Sequence, residues 1–253
     1  MEIFLFKDKM KKILAIDVGN TTIEACIITN KEEITEKKFV SSKIDIEINL
    51  PIFFDFFKSF KIDCVIVSSV VPSLNNYILD YFQRLDCKII FISDKLNNIV
   101  KTKSHSIGSD ILCKSAYVAN NYKGKTLIVD VGTATVLNYI EDKELKSASI
   151  SVGLNTMYQS LSQNTELLPT LTPKVVESVL GKDTQSCMHG GIFLGYIGLL
   201  NYIVSKALKE VSATRVILTG GYSELISNKL TFDFILDKHL IFKGIYLIYE
   251  NNS

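Results

Sequence analysis

The 253-residue chain lacks an excess of charge of either sign: 28 lysines and arginines stand against 27 aspartates and glutamates, a formal net charge of +1. That balance gives no reason to expect the basic stripe of a nucleic-acid binder or an anionic membrane partner, so any phosphate binding is expected to be local. Paired cysteines are also missing. Cys26, Cys64, Cys87, Cys113 and Cys187 are scattered, odd in number and without C-x-x-C spacing. This excludes a zinc ribbon and a disulfide framework and suits a reduced, cytoplasmic setting. Histidine is scarce, and His105, His189 and His239 have no metal-ligand spacing; isolated histidines of this kind are expected on the surface or packed on helices. No apolar run reads as long enough to cross a bilayer, and the opening MEIFLF is interrupted by Lys7 and Asp8 too early for a signal peptide. Met10 begins MKKILAID, which reads as a start just before a strand, so residues 1–9 are expected to lie outside the fold.

What is present is 47% apolar residues against 22% charged, enough for one large core or two modest ones. ILAID, TIEACIIT and EITEKKFV read as three strands of an antiparallel meander. PIFFDFFKSF, with Pro51 at the first helical position, reads as a core helix; no basic residues interleave its phenylalanines as a base-stacking platform would need. DCVIVSS is then a buried strand, Leu74, Ile78, Tyr81, Phe82 and Leu85 mark a helical stripe, and CKIIFIS is a further buried strand. A helix is expected from about Asp110, stopping at Gly124.

TLIVDVG, TATVLNYI and KELKSASIS then repeat the opening meander, which points to an internal duplication. A long apolar helix follows, whose Gly190, Gly191, Gly195 and Gly198 are expected to allow close packing, with Cys113 and Cys187 as buried structural thiols on their helices. TRVILTGGYSELI reads as strand, glycine turn and helix, and KGIYLIYENN as a terminal helix. The expected fold class is α/β: two duplicated domains, 10–122 and 123–253, each a mixed sheet flanked by helices.

The chemistry sits on the repeated device. Asp17, Gly19, Asn20, Thr21 and Thr22 follow a buried strand, and Asp130, Gly132, Thr133 and Thr135 do so again. A glycine hairpin can point backbone N–H groups at one spot and its hydroxyls add donors, which phosphate oxygens require, while an aspartate at the strand end can hold hydrated Mg²⁺. A lone D-x-G is an ordinary β-turn; two in the same context read as the walls of a nucleotide cleft. Gly220 and Gly221 form a third turn, through which backbone can approach an adenine or ribose.

In this order DVGNTT, VSSVVPSL, IGSD, VDVGTAT, GKDTQSCMHGGIFLGYIG, LTGGYSELI and KGIYLIYE resemble the type III pantothenate kinases, from about residue 12 to residue 250. The resemblance implies the sugar kinase, actin and chaperone superfamily, with two ribonuclease-H-like domains and the nucleotide cleft between them. It implies transfer of the ATP γ-phosphoryl group to the primary hydroxyl of pantothenate, with Asp110 as the catalytic carboxylate. Asp17, Val18, Gly19, Asn20, Thr21, Thr22, Thr133, Gly220 and Gly221 are then nucleotide contacts, Asp17 and Asp130 hold metal, and Asp130 binds the activating potassium or ammonium ion. Gly108, Ser109 and Thr184 match the acceptor site, which a homodimer completes. Asp110 and Thr184 each also open a helical run, where such residues are ordinary caps.

The departures fall in the acceptor pocket. Ile111 stands where the family has arginine, and isoleucine cannot make charge-assisted hydrogen bonds. Lys101 replaces a tyrosine and either supplies the missing charge or is a solvated loop lysine beside Lys103. SASISVG keeps Ile150 and Gly153 of a longer glycine-proline segment, and Val136 and Asn138 replace a threonine and an aspartate. Two alternatives therefore accompany the pantothenate kinase reading: a kinase for another small hydroxyl compound, and a degenerate nucleotide-binding or regulatory dimer.

Overall fold

A computed structural model describes residues 11–29, 32–40, 46–85, 87–102 and 107–252. The expectation for residues 1–9, and the placement of Lys103 and His105, lie outside these.

Strands β1 (Lys12–Val18), β2 (Thr22–Thr29) and β3 (Glu32–Val40) form the expected antiparallel meander. Helix α1 (Ile46–Asp55), strand β4 (Cys64–Ser69), helix α2 (Pro72–Gln83) and strand β5 (Ile89–Phe91) follow. β4 lies parallel to β1 and β5 parallel to β4, giving the order β3-β2-β1-β4-β5. β1 and β4 read as continuous apolar runs because both of their faces are covered: Leu14, Ala15, Ile16, Val65 and Val67 are all fully buried.

Helix α1 starts five residues before Pro51, so the proline sits inside the helix and not at its first position. There it removes one i→i−4 hydrogen bond. Burial of Leu50, Phe53, Phe54 and Phe57 against Ile78 and Phe82 offsets that loss, at about 1.5–3 kcal/mol for each large apolar side chain. Leu85 lies beyond α2 and is exposed, and β5 is a half-buried edge strand instead of a buried one.

Strand β6 (Lys101–Thr102) and helix α3 (Ser109–Asn121) precede β7 (Thr126–Val131), β8 (Ala134–Glu141) and β9 (Glu144–Val152). Next come α4 (Leu154–Gln163), α5 (Thr184–His189), α6 (Gly195–Val211), β10 (Arg215–Thr219), α7 (Ser223–Ser227), β11 (Ile235–Leu236) and α8 (Leu240–Glu250). The second sheet is ordered β11-β10-β7-β8-β9-β6. With β7 set on β1, its first five strands repeat the first sheet in topology, and β6 is an addition at the β9 edge.

Two compact units emerge, one within 1–98, 106–113 and 241–253 and the other within 99–105 and 114–240. The terminal helix α8 thus joins the first unit, beyond any single cut at residue 122. Its Gly244 lies so near the start of α3 that a Cβ would stand 2.1 Å from the Cys113 carbonyl oxygen.

α5 and α6 are continuous through a π-helical turn at Gly190–Leu194. The resulting Thr184–Val211 helix is, by length and composition, long and apolar enough to cross a membrane, which the sequence reading did not anticipate. Its Met188, Phe193, Tyr196, Leu200 and Val204 are instead buried in the core of the second unit with Leu127, Val129, Leu137 and Leu218. Of its glycines only Gly190 permits a close approach, to the Val179 carbonyl; a Cβ at Gly191, Gly195 or Gly198 would meet nothing within 4 Å. Cys113 is buried, whereas Cys187 is exposed on the same outward face as these glycines.

Candidate active site

In the first unit, β1 carries Asp17 one residue before its end at Val18, and the chain turns through Gly19, whose N–H donates to the Thr22 carbonyl at 2.9 Å. That donor belongs to the turn, so a phosphate would be met by Asn20, Thr21 and Thr22. Parallel register sets Asp17 beside Ser68. The fully buried Ser68 hydroxyl donates to Asp17 Oδ1 at 3.0 Å, and Ser109 Oγ lies 3.1 Å from Ser68 Oγ and 3.0 Å from the Ser69 carbonyl it donates to. With the Ser68 hydrogen committed to Asp17, the single Ser109 hydrogen is shared between the Ser68 oxygen and the Ser69 carbonyl.

This relay ties the end of β1 to the start of α3, where Asp110 is the second residue. Leu112 N–H donates to the Gly108 carbonyl at 3.0 Å, so Gly108 occupies the cap position and Asp110 is not the cap. The Asp110 carboxylate folds back over Gly108, where a Cβ would lie 2.5 Å from Oδ1. A cleft of about 340 Å³, lined by Ser69, Pro72, Ser93, Gly108 and Ser109 among others, opens beside this helix start. Ile111 is half-buried.

In the second unit the β7–β8 turn is closed by Gly132 N–H donating to the Ala134 carbonyl at 3.1 Å. The Thr133 carbonyl accepts from Gly153 N–H at 3.2 Å and from Thr156 Oγ1 at 2.7 Å, leaving the Thr133 side chain exposed. Gly153 is required there, since a Cβ would sit 2.2 Å from the Gly132 oxygen and 2.4 Å from that of Thr133. Thr135 is buried against Tyr196, hydroxyl to hydroxyl at 2.6 Å. Burial pushes the Tyr196 phenol up to about 12; the Thr135 hydrogen bond opposes this and the Asp130 charge adds to it.

Asp130, at the end of β7, is where the glycine turn after β10 arrives. Gly220 has φ +96°, a left-handed conformation suited to glycine, and a Cβ there would lie 2.5 Å from Asp130 Oδ1. Tyr222 N–H donates to the Val131 carbonyl at 3.2 Å, fixing the turn against β7, while Gly221 is exposed. On its other side Asp130 Oδ2 receives Lys114 Nζ from α3 at 2.5 Å.

The structure therefore gathers Asp17, Gly108, Ser109 and Asp110 in one unit, and Asp130, Thr133 and Gly220 in the other. Lys101 is exposed on the short edge strand β6, its N–H donating to the Lys143 carbonyl at 2.8 Å. Thr184 is exposed at the first position of α5; the cap there is Asp183, which forms a reciprocal capping box with Ser186. Sequence reasoning missed Ser68 and Lys114. The first could be found as a hydroxyl ending an apolar strand, the second as a lysine inside the buried run LCKSA.

Among the described residues no three histidine, cysteine, aspartate or glutamate side chains gather as a metal cluster. Asp17, half-buried with one oxygen held by Ser68, fits the single carboxylate contact that a hydrated, phosphate-bound Mg²⁺ needs. Asp130 does not fit a monovalent cation, because a lysine ammonium already meets it.

The paired sheets define a class, the sugar kinase and actin-like fold. MreB5 of Spiroplasma citri, in a structure bound to ADP, matches with TM-score 0.52 at 10% identity, over 96% of this chain and 97% of its own. A Baf family protein from Campylobacter jejuni matches with TM-score 0.59 at 20% identity, over 94% and 98%. Within the class, the sequence profile of type III pantothenate kinase matches residues 13–206. The Thermosipho africanus type III pantothenate kinase is 30% identical over 94% of this chain and 98% of its own length. The chain belongs to the type III pantothenate kinase family.

Proposed function

We propose that the chain transfers the γ-phosphoryl group of ATP to the primary hydroxyl of pantothenate, giving 4′-phosphopantothenate, the first step toward coenzyme A. The observation that carries this beyond family membership is the Asp17–Ser68–Ser109 relay, which fixes Asp110 at a helix start beside an open cleft. Asp110 accepts the proton of the attacking hydroxyl, and Gly108, Ser109 and Ile111 shape the acceptor side; Lys101 and Thr184 are acceptor contacts by family resemblance. Asn20, Thr21 and Thr22, on the turn set by Val18 and Gly19, bind phosphate oxygens. Thr133, Gly220 and Gly221 contact the nucleotide. Mg²⁺ at Asp17 would neutralise charge on the phosphates. Phosphoryl transfer asks for positioning and charge neutralisation more than covalent chemistry.

The working form is a cytoplasmic homodimer. Exposed apolar side chains of the second unit, Ile150, Leu167, Leu180 and Tyr202, support burial against a second copy. Ile111 supports a second reading, a kinase-fold regulatory dimer that binds nucleotide without this turnover. ADP release with pantothenate as acceptor separates the two. Asp110→Asn is expected to lower turnover by about 10²–10⁴-fold with an unchanged melting temperature. No pantothenate-dependent ADP release, together with full complementation in cells by Asp110→Asn, would favour the regulator.

A further inference from the structure

Lys114 is a buried lysine, 7% exposed. It projects from α3 onto the face of the second sheet opposite the core that α6 covers. Alternation puts Ile128 and Asp130 of β7 on that face, with their register partners Asn138 and Val136 of β8. Lys114 Nζ lies 2.5 Å from Asp130 Oδ2, with the two side chains 9% and 11% exposed. The second carboxylate oxygen lies under the Gly220 turn. Asn138 is fully buried on the same face and adds no charge.

An ion pair in such a setting holds together because either partner alone would be a buried, uncompensated charge. It also leaves no net negative charge to draw in another cation, and a potassium ion brought to Asp130 would confront the Lys114 ammonium. That ammonium matches a potassium ion in charge and approximate size, and a free ammonium ion also in its N–H donors, which are directed at the same carboxylate.

We propose that the Lys114 ammonium is a built-in monovalent cation, permanently occupying the carboxylate of Asp130, so that this chain works without added potassium or ammonium. The proposal rests on the kinase reading for its effect on turnover, but not for its effect on cation binding, and the two can be measured apart.

Melting temperatures are recorded in potassium, ammonium, sodium and choline chlorides at equal ionic strength, for the wild type, Lys114→Ala and Lys114→Gln. The wild type is expected to melt at one temperature in all four salts. The Ala variant is expected to melt lower and to recover saturably with potassium or ammonium but not with choline. If Lys114→Ala does not fold, Lys114→Gln carries the same test, and adding Asp130→Asn to it has to abolish the recovery. Wild-type turnover is expected to be equal in choline and potassium. Saturable stabilisation or activation of the wild type by potassium or ammonium overturns the proposal, as does a foldable Lys114 variant indifferent to both ions. If turnover is absent in every salt while the melting pattern holds, the kinase reading fails and the cation assignment stands.

Discussion

Ser68 and Asp17, on neighbouring parallel strands, face each other so that a fully buried hydroxyl donates to the carboxylate at 3.0 Å. The same hydroxyl meets Ser109 at the start of α3, so one small side chain sets the carboxylate of one strand against the helix that carries Asp110.

Removing it with Ser68→Ala is expected to cost about 2 kcal/mol of stability, the scale of a hydrogen bond to a charged group. It is also expected to raise the KM for Mg·ATP and lower kcat together, since Asp17 and α3 both lose their anchor. Urea unfolding and steady-state kinetics check this; an unchanged kcat would separate the relay from catalysis.

Gly153 and Gly198 make opposite predictions for one substitution. Gly153→Ala drives a Cβ into two backbone carbonyls that belong to the β7–β8 turn, and is expected to cost about 3 kcal/mol, the upper end for overpacking. Gly198→Ala meets nothing within 4 Å and is expected to add about 0.5–1 kcal/mol through helix propensity. Thermal melts of the monomer and sizing of the oligomer check both, and a loss of association by Gly198→Ala would locate the dimer contact on that face.

Ile111→Arg is expected to lower the KM for pantothenate by about tenfold, the effect of one charge-assisted hydrogen bond to its carboxylate. An unchanged KM would place the acceptor carboxylate elsewhere, with exposed Lys101 the next residue to neutralise.

His189 is buried beside Tyr158, its Nδ1 2.9 Å from the phenol oxygen. Burial, and then the charge of Lys174, hold its pKa below the ordinary value of 6.5. Above that value both folded and unfolded chains carry it neutral and it makes no pH-dependent contribution. As pH falls through 6.5 the unfolded chain takes up a proton that the folded chain refuses, so stability is lost until the folded pKa is passed. Urea unfolding at pH 7.5 and pH 5.5 is expected to show this loss, with a shallower slope for His189→Asn.

Strands were legible in the sequence because β1, β4 and β7 each carry an unbroken apolar run, residues 13–16, 64–67 and 127–129, and the duplicated D-x-G turns located two strand ends that the fold repeats. Tertiary relationships were less legible. Pro51 suggested a helix start only because the turns before it have no strong apolar stripe. Leu85 matched a helical period that the chain leaves two residues earlier. Thr184 resembled a cap because capping depends on which residue leaves helical φ and ψ, and Asp183 does so. Lys114 gave the least warning: its charge makes sense only beside Asp130, a partner that α3 reaches by packing and not by sequence proximity.

The π-helical turn at Gly190–Leu194 fixes the phase between α5 and α6. One residue corresponds to a rotation of about 100° about a helix axis. Deleting a single residue there would leave a regular α-helix yet swing α5 a quarter-turn or more, carrying Thr184 off its present face while Tyr196 and Leu200 stayed in the core. Length in this segment is therefore constrained independently of composition: apart from Gly190, which the Val179 carbonyl holds to glycine, a small-residue substitution such as Gly191→Ala is expected to pass where single-residue deletions fail.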